Sequence, residues 1–189
     1  MKMHQTVFII HGVQGHPKEN WFPWLKKELE LIGCRVIAHR FPNPESPQLS
    51  EWSEFFGKYK VYFNNNTIVI GHSLGVAFLL NILEKYPAKT AFFVAGFCSD
   101  PKNEFSESMG AFTNRDFDWE TIKGNCHKFF IYSSDNDPYV SLPKGKELAE
   151  KLNSKIKIVK NAGHFNEASG CKKFELLLND IKNSIAKDL

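Results

Sequence analysis

Five residues, Gly71-His72-Ser73-Leu74-Gly75, constrain this chain more than any other stretch. They stand between a short apolar run, Thr67-Ile-Val-Ile70, and a helix-spaced segment from Val76 to about Tyr86 that Pro87 stops. A serine with glycines two positions to either side is the pattern of a tight strand-to-helix turn, because the glycines remove side chains that would collide as the two elements close up. By composition alone the pattern would turn up in roughly one chain in twenty of this length, so its weight comes from the strand and helix around it. Such a turn lifts the serine hydroxyl above the C-terminal edge of a parallel sheet, beside the positive end of the helix. A loop entering a phosphate-binding helix would want the P-loop lysine or the third glycine of a dinucleotide fingerprint, and neither is present.

The rest of the chain supplies the alternation that such a turn needs. Strand-like runs are expected at Thr6–Ile10, Cys34–Ala38, Thr90–Ala95, His127–Tyr132 and Lys155–Val159, in addition to Thr67–Ile70. Helical spacing is expected over Trp21–Leu31, Glu51–Tyr62, Trp119–Lys123, Pro143–Leu152 and Glu175–Ile185. This predicts an α/β fold, with one mainly parallel sheet of about six strands and helices on both faces. The 189 residues fit a single domain spanning 1–189 that can bury a core without staples. The polar stretch from Cys98 to about Phe117 reads as a loop, and an insertion reaching only to Trp119 is too short for a lid domain.

Composition removes several classes. With 17 Phe, 4 Trp and 5 Tyr the chain carries far too much apolar surface for disorder. A net charge of +3 is too small to argue for nucleic acid or an anionic membrane. Cys34, Cys98, Cys126 and Cys171 form no CxxC pair, so no zinc or thioredoxin-like signature is present and they read as buried thiols. No His/Asp/Glu set asks for a metal, and no cofactor is implied. The N-terminus has one Lys before a four-residue apolar run, too short for a secretory or membrane segment, so a soluble cytoplasmic protein is expected.

A serine hydroxyl needs a base and an orienting acid to become a nucleophile. After this kind of turn they follow in the order acid, then histidine. Asp137 lies 64 residues beyond Ser73, just past a strand, and His164 a further 27, also past a strand and preceded by a glycine. Both loops should open at the same edge of the sheet as Ser73. Asp135 is the alternative acid. His4, His16, His39 and His127 have no comparable placement, and His72 reads as a packed neighbour of Ser73. Two convergent N–H donors should face the oxyanion: Leu74, following the nucleophile, and Val13, after the His11-Gly12 pair that ends the first strand, with Gln14 as second choice. His11, Trp21, Phe97, Phe112, Trp119 and Phe165 are the expected pocket residues, and they would select a small apolar or aromatic group. Trp24 and Phe41 fit an ordinary core better.

Taken together, these residues resemble the small serine hydrolases of the retinoblastoma-binding-protein-9/YdeN-like family, compact α/β-hydrolases without a lid domain. The resemblance runs through His11-Gly12, Trp21-Phe-Pro-Trp24-Leu, Phe41-Pro-Asn-Pro44 with Trp52, and Ile70-Gly-His-Ser73. It continues through Phe112-Thr113, Asp118-Trp119-Glu120, Ile122-Lys123, Asp137-Pro138 and Gly163-His164-Phe165. It implies hydrolysis of a small ester or amide by Ser73, Asp137 and His164. Some relatives are glycine-rich where this chain has Val13-Gln14. The pocket-protein-binding motif L-x-C-x-E is absent, so no retinoblastoma-type partner carries over. A protein that keeps this fold but works only through contacts is the competing expectation, and the intact Ser73, Asp137 and His164 argue against it. An acyl thioesterase would differ only in its leaving group.

Overall fold

Strict alternation along the strands sorts their side chains onto two faces of one sheet. The computed structural model describes residues 5–186; the first four residues, His4 among them, and 187–189 lie outside that range. In chain order the elements are β1 (Thr6–Ile10), α1 (Phe22–Leu31), β2 (Arg35–Ile37), α2 (Leu49–Gly57), β3 (Ile68–His72), α3 (Leu74–Leu83) and β4 (Thr90–Val94). They continue with α4 (Ser106–Thr113), α5 (Trp119–Asn125), β5 (Phe129–Ser134), α6 (Leu142–Lys151), β6 (Ile156–Val159) and α7 (Glu175–Ala186). The six strands pair in parallel in the order β2-β1-β3-β4-β5-β6. Phe8, Ile10, Val69, Phe93 and Ile131 pack on one face with Trp52, Phe56, Phe78 and Leu148 from the helices. Val7, Ile9, Ile70, Phe92, Val94 and Tyr132 pack on the other with Trp21, Leu25, Leu29, Leu177 and Ile181. Burial on both faces is what makes the strand sequences nearly continuous apolar runs.

The sheet is wound in both directions from its middle. The chain passes outward from β1 to β2, returns to β3, then proceeds to β6 at the opposite edge. The loops after β1 and β3 therefore diverge and leave a crevice at the carboxyl ends of these neighbouring strands, the place where open α/β sheets bind ligands. Ser73 follows β3 directly at that point. Helix α3 runs from it under the sheet, and all ten of its residues are buried. A helix apolar on every side belongs in the interior rather than on the surface.

Two expectations for the elements are corrected. The helix expected over Glu51–Tyr62 ends at Gly57, and Lys60–Tyr62 forms a separate 3-10 turn. The stretch expected as an unbroken loop contains α4, whose Ser, Gly and Thr content hides its helicity. Tertiary contacts hold it instead. Met109 and Phe112 are buried, Asn81 Nδ2 donates to the Phe112 carbonyl at 3.1 Å, and Arg115 beyond the helix donates to Asn81 Oδ1 and pairs with Glu84. The four cysteines are free thiols, three of them buried, and burial pushes Cys98 and Cys126 up to about 12. Among the described residues no helix is long and apolar enough to cross a membrane, and no group of three or more His, Cys, Asp or Glu could hold a metal ion.

Candidate active site

Ser73 occupies the left-handed side of the backbone map, at φ +54° and ψ −121°, a conformation that costs a non-glycine residue about 1–3 kcal/mol. The surroundings impose it. The Ser73 N–H is donated to the Val94 carbonyl of β4 at 2.9 Å, while its own carbonyl accepts the Val76 N–H at 3.0 Å. Gly75 lies so close to β1 that a Cβ there would run into the carbonyl oxygen of Ile10. The strain is thus maintained by a helix and strand packed closer than any larger residue would allow. Ser73 is 5% exposed, so its hydroxyl meets the outside only through the cleft described below.

His164 and Asp137 meet as side chains from two different loops. The His164 Nδ1 lies 2.8 Å from Asp137 Oδ2 and 3.0 Å from Oδ1. The carboxylate is 1% exposed, and its Oδ1 also accepts the N–H groups of Tyr139 and Val140. Asp135, the alternative acid, accepts the Asn161 N–H at 2.8 Å instead. Ser134 Oγ accepts the Ala162 N–H at 3.1 Å, and Asn136 Oδ1 accepts the Gly163 N–H at 2.8 Å. Three consecutive side chains at the C-terminal end of β5 therefore bind three consecutive amides just before His164. Gly163 has φ +52°, where a side chain would be strained and a Cβ would press on Ser169.

The loop after β1 is organised by His11. The Phe41 N–H donates to its Nε2 at 2.9 Å, so the neutral ring carries its proton on Nδ1 and donates it to the Gly12 carbonyl at 2.7 Å. Burial pushes His11 down to about 4 and keeps it neutral. Gln14, at φ +57°, donates its N–H to the Pro44 carbonyl at 2.6 Å, so that amide is already engaged. Gly12 lies against Ser73: a Cβ there would come 3.0 Å from the serine Cβ and 3.4 Å from its Oγ.

These groups open into one cleft of about 240 Å³, lined by Ser73, His72 and His164 together with Gly12, Val13, Gln14 and Gly15. Glu19, Asn20, Asn103, Phe105, Met109, Tyr139 and Asn166 complete the wall. Burial raises the Glu19 carboxyl above its ordinary range. None of the six expected pocket residues lines the cleft. Trp21, Phe97 and Phe112 are fully buried, and Phe165 and His11 are each only 1% exposed. Trp119 is half-buried against Phe117 and the core. His11, Phe97 and Phe165 follow strands within a few residues, whereas Trp21, Phe112 and Trp119 stand at or in α1, α4 and α5; both settings draw the rings into the layers flanking the sheet. The side chains that do line the cleft were missed, although Tyr139 and Asn166 each stand two residues beyond Asp137 and His164. Sequence distance from the site residues was the available signal, and aromatic content misled.

The chain matches the family described as serine hydrolase over residues 7–183. It is 27% identical to the YdeN protein of Bacillus subtilis (strain 168) over 190 residues, covering 98% of this chain and 99% of that one. It is 28% identical over 170 residues to the serine hydrolase RBBP9 of Rattus norvegicus, covering 89% and 88%. The solved structure of the B. subtilis ydeN product superposes with a TM-score of 0.90 over 96% of this chain and 99% of that one. Est1E from Butyrivibrio proteoclasticus, bound to ferulic acid, shares the fold at a TM-score of 0.70 and 13% identity, covering 96% and 88%. The protein is a member of the serine hydrolase family, with an α/β-hydrolase fold.

Proposed function

We propose that the protein hydrolyses a small carboxylic ester or amide through an acyl-enzyme on Ser73. The observation that carries this reading is the His164 Nδ1 held between both oxygens of the buried Asp137 carboxylate, in the same cleft as the strained Ser73. His164 takes the Ser73 proton as Oγ bonds to the acyl carbon, then returns it to the leaving group as the tetrahedral species collapses. Water, deprotonated by the same imidazole, attacks the acyl-enzyme and frees the acid and the serine. Asp137 fixes the ring's tautomer and stabilises its charged form.

The oxyanion is placed between the N–H groups of Leu74 and Val13. Gln14, the second choice, is disfavoured because its N–H is donated to Pro44. One such donor stabilises the transition state by roughly 3–4 kcal/mol. The cleft is at the small end for ligand sites. Its wall combines Phe105, Met109 and Tyr139 with the side-chain amides of Gln14, Asn20, Asn103 and Asn166, which suits a substrate with one apolar and one hydrogen-bonding part. The test is turnover on a panel of short-chain p-nitrophenyl esters, aminoacyl arylamides and acyl-CoA thioesters. At least one class should be cleaved, and Ser73→Ala should lower its kcat by up to about 10⁶-fold. No turnover on any class, or equal turnover by wild type and variant, would overturn the proposal.

A further inference from the structure

The amides leading into His164 are held from the end of β5, while the carbonyls of His164 and Phe165 are held by two residues outside the chemistry, from the end of β3 and the start of α1. His72 Nε2 lies 2.8 Å from the carbonyl oxygen of His164. Trp21 Nε1 donates to the carbonyl oxygen of Phe165, the next residue, at 3.0 Å. The two rings touch edge to face at 6.1 Å between centroids, and the His72 ring is 4.8 Å from that of His164. Phe165 sits at φ +51°, unfavourable for an aromatic residue, so this segment keeps its shape only because its surroundings over-determine it.

Simple packing does not account for the choice of residues. Position 72 is 4% exposed and position 21 fully buried. An apolar ring would fill either space without desolvating a polar group, whereas a buried indole or imidazole needs a partner for its N–H. Burial and the neighbouring His164 push His72 down to about 3, so it stays neutral, with its Nε2 proton available to the carbonyl. His72 belongs to the turn that carries Ser73, and its bond therefore ties the nucleophile's own strand directly to the base.

We infer that His72 and Trp21 are positioning residues, a pair of donors on consecutive carbonyls that sets where the His164 ring stands relative to Ser73. The inference rests on the reading of Ser73, Asp137 and His164 as the reacting set. It assigns Trp21 to the support of the site rather than to its pocket, and makes His72 more than a packed neighbour.

The experiment compares His72→Phe and Trp21→Phe, which keep an aromatic ring and lose the donor, with His72→Gln, which returns an N–H donor. Kinetics use p-nitrophenyl acetate, melting temperature is followed in parallel, and reaction with a fluorophosphonate probe reports on Ser73 independently of turnover. Each Phe variant is expected to lower kcat about 10- to 100-fold, the scale of a small misplacement of a catalytic group, with KM within about threefold. His72→Gln should recover most of the loss. The double Phe variant should lose less than the product of the single losses, because both bonds hold one segment. Unchanged kcat in a folded Trp21→Phe or His72→Phe protein, a loss residing in KM, or His72→Gln no better than His72→Phe would each overturn the inference. A wild-type protein that neither turns over ester nor accepts the probe would instead overturn the reading of the triad.

Discussion

Ser73 and Phe165 both occupy left-handed backbone conformations, at φ +54° and +51°, yet the chain holds them by different means. Around Ser73 the restraint is local and steric. It comes from two glycines within two residues, a helix that starts at once, and a backbone approach between Gly75 and β1 that admits no side chain. Around His164 and Phe165 the restraint is distant and polar. Ser134, Asp135 and Asn136 bind the preceding amides, while His72 and Trp21 bind the two carbonyls. A steric turn is written into a five-residue motif. A suspended loop is spread over partners as much as 144 residues apart. The first should therefore fail by losing stability, the second by losing catalytic geometry.

Among the partners of the suspended loop, the largest expected effect comes from Asp137, which holds the His164 ring. Asp137→Asn should lower kcat by about 10⁴-fold by stabilising the wrong imidazole tautomer, whereas Asp135→Asn should leave kcat within a few fold. Steady-state kinetics on one ester separates the two acids, and comparable losses would return Asp135 to candidacy.

Acid should act next, through the two buried neutral histidines. His11 and His72 are held at about 4 and about 3, below the roughly 6.5 of an unfolded chain. The unfolded state then binds protons first, so stability is present above pH 6.5 and lost as pH falls below it. The loss by pH 5 should be about 2 kcal/mol for each histidine. Urea unfolding at pH 7 and pH 5 measures it, and His72→Phe should remove about half the difference.

On the steric side, Gly75→Ala should destabilise the protein by about 1–3 kcal/mol, because β1 and α3 must separate. In a chain of this size that corresponds to a melting temperature lower by roughly 3–10 °C. The smallest effect should come from Asn136→Ala, which leaves the Gly163 N–H without its acceptor. Its cost should be about 1 kcal/mol, and it should reduce kcat more than it reduces melting temperature. The reverse pattern for these two variants would erase the distinction between the turn and the loop.

The same distinction explains what could be read from the chain before its structure. Short continuous apolar runs that alternate with helix-spaced segments depend only on near neighbours, and the six strands and their parallel arrangement were legible from them. The Ser73 turn was legible because its glycines and its helix are contiguous with it. The ends of the β5 and β6 runs marked where Asp137 and His164 should stand. The cleft wall was not legible, because Phe105 and Met109 reach it through α4, a helix made by contacts with Asn81 and α3 rather than by its own propensity. Nor were the hydrogen bonds of Trp21, His72 and Asn136, since a polar atom that binds a distant carbonyl or amide leaves no periodic trace. The aromatic residues expected in the pocket belonged to the layers over the sheet, while Tyr139 and Asn166, two residues beyond Asp137 and His164, stand in the cleft wall.

Mass spectrometry after reaction with a fluorophosphonate probe tests the central claim most directly. The folded wild-type protein should gain one adduct that maps to the peptide carrying Ser73. Asp137→Asn should slow its formation and Ser73→Ala should abolish it. Absence of an adduct on folded wild-type protein, or an adduct that persists in Ser73→Ala, would contradict the assignment of Ser73 as nucleophile.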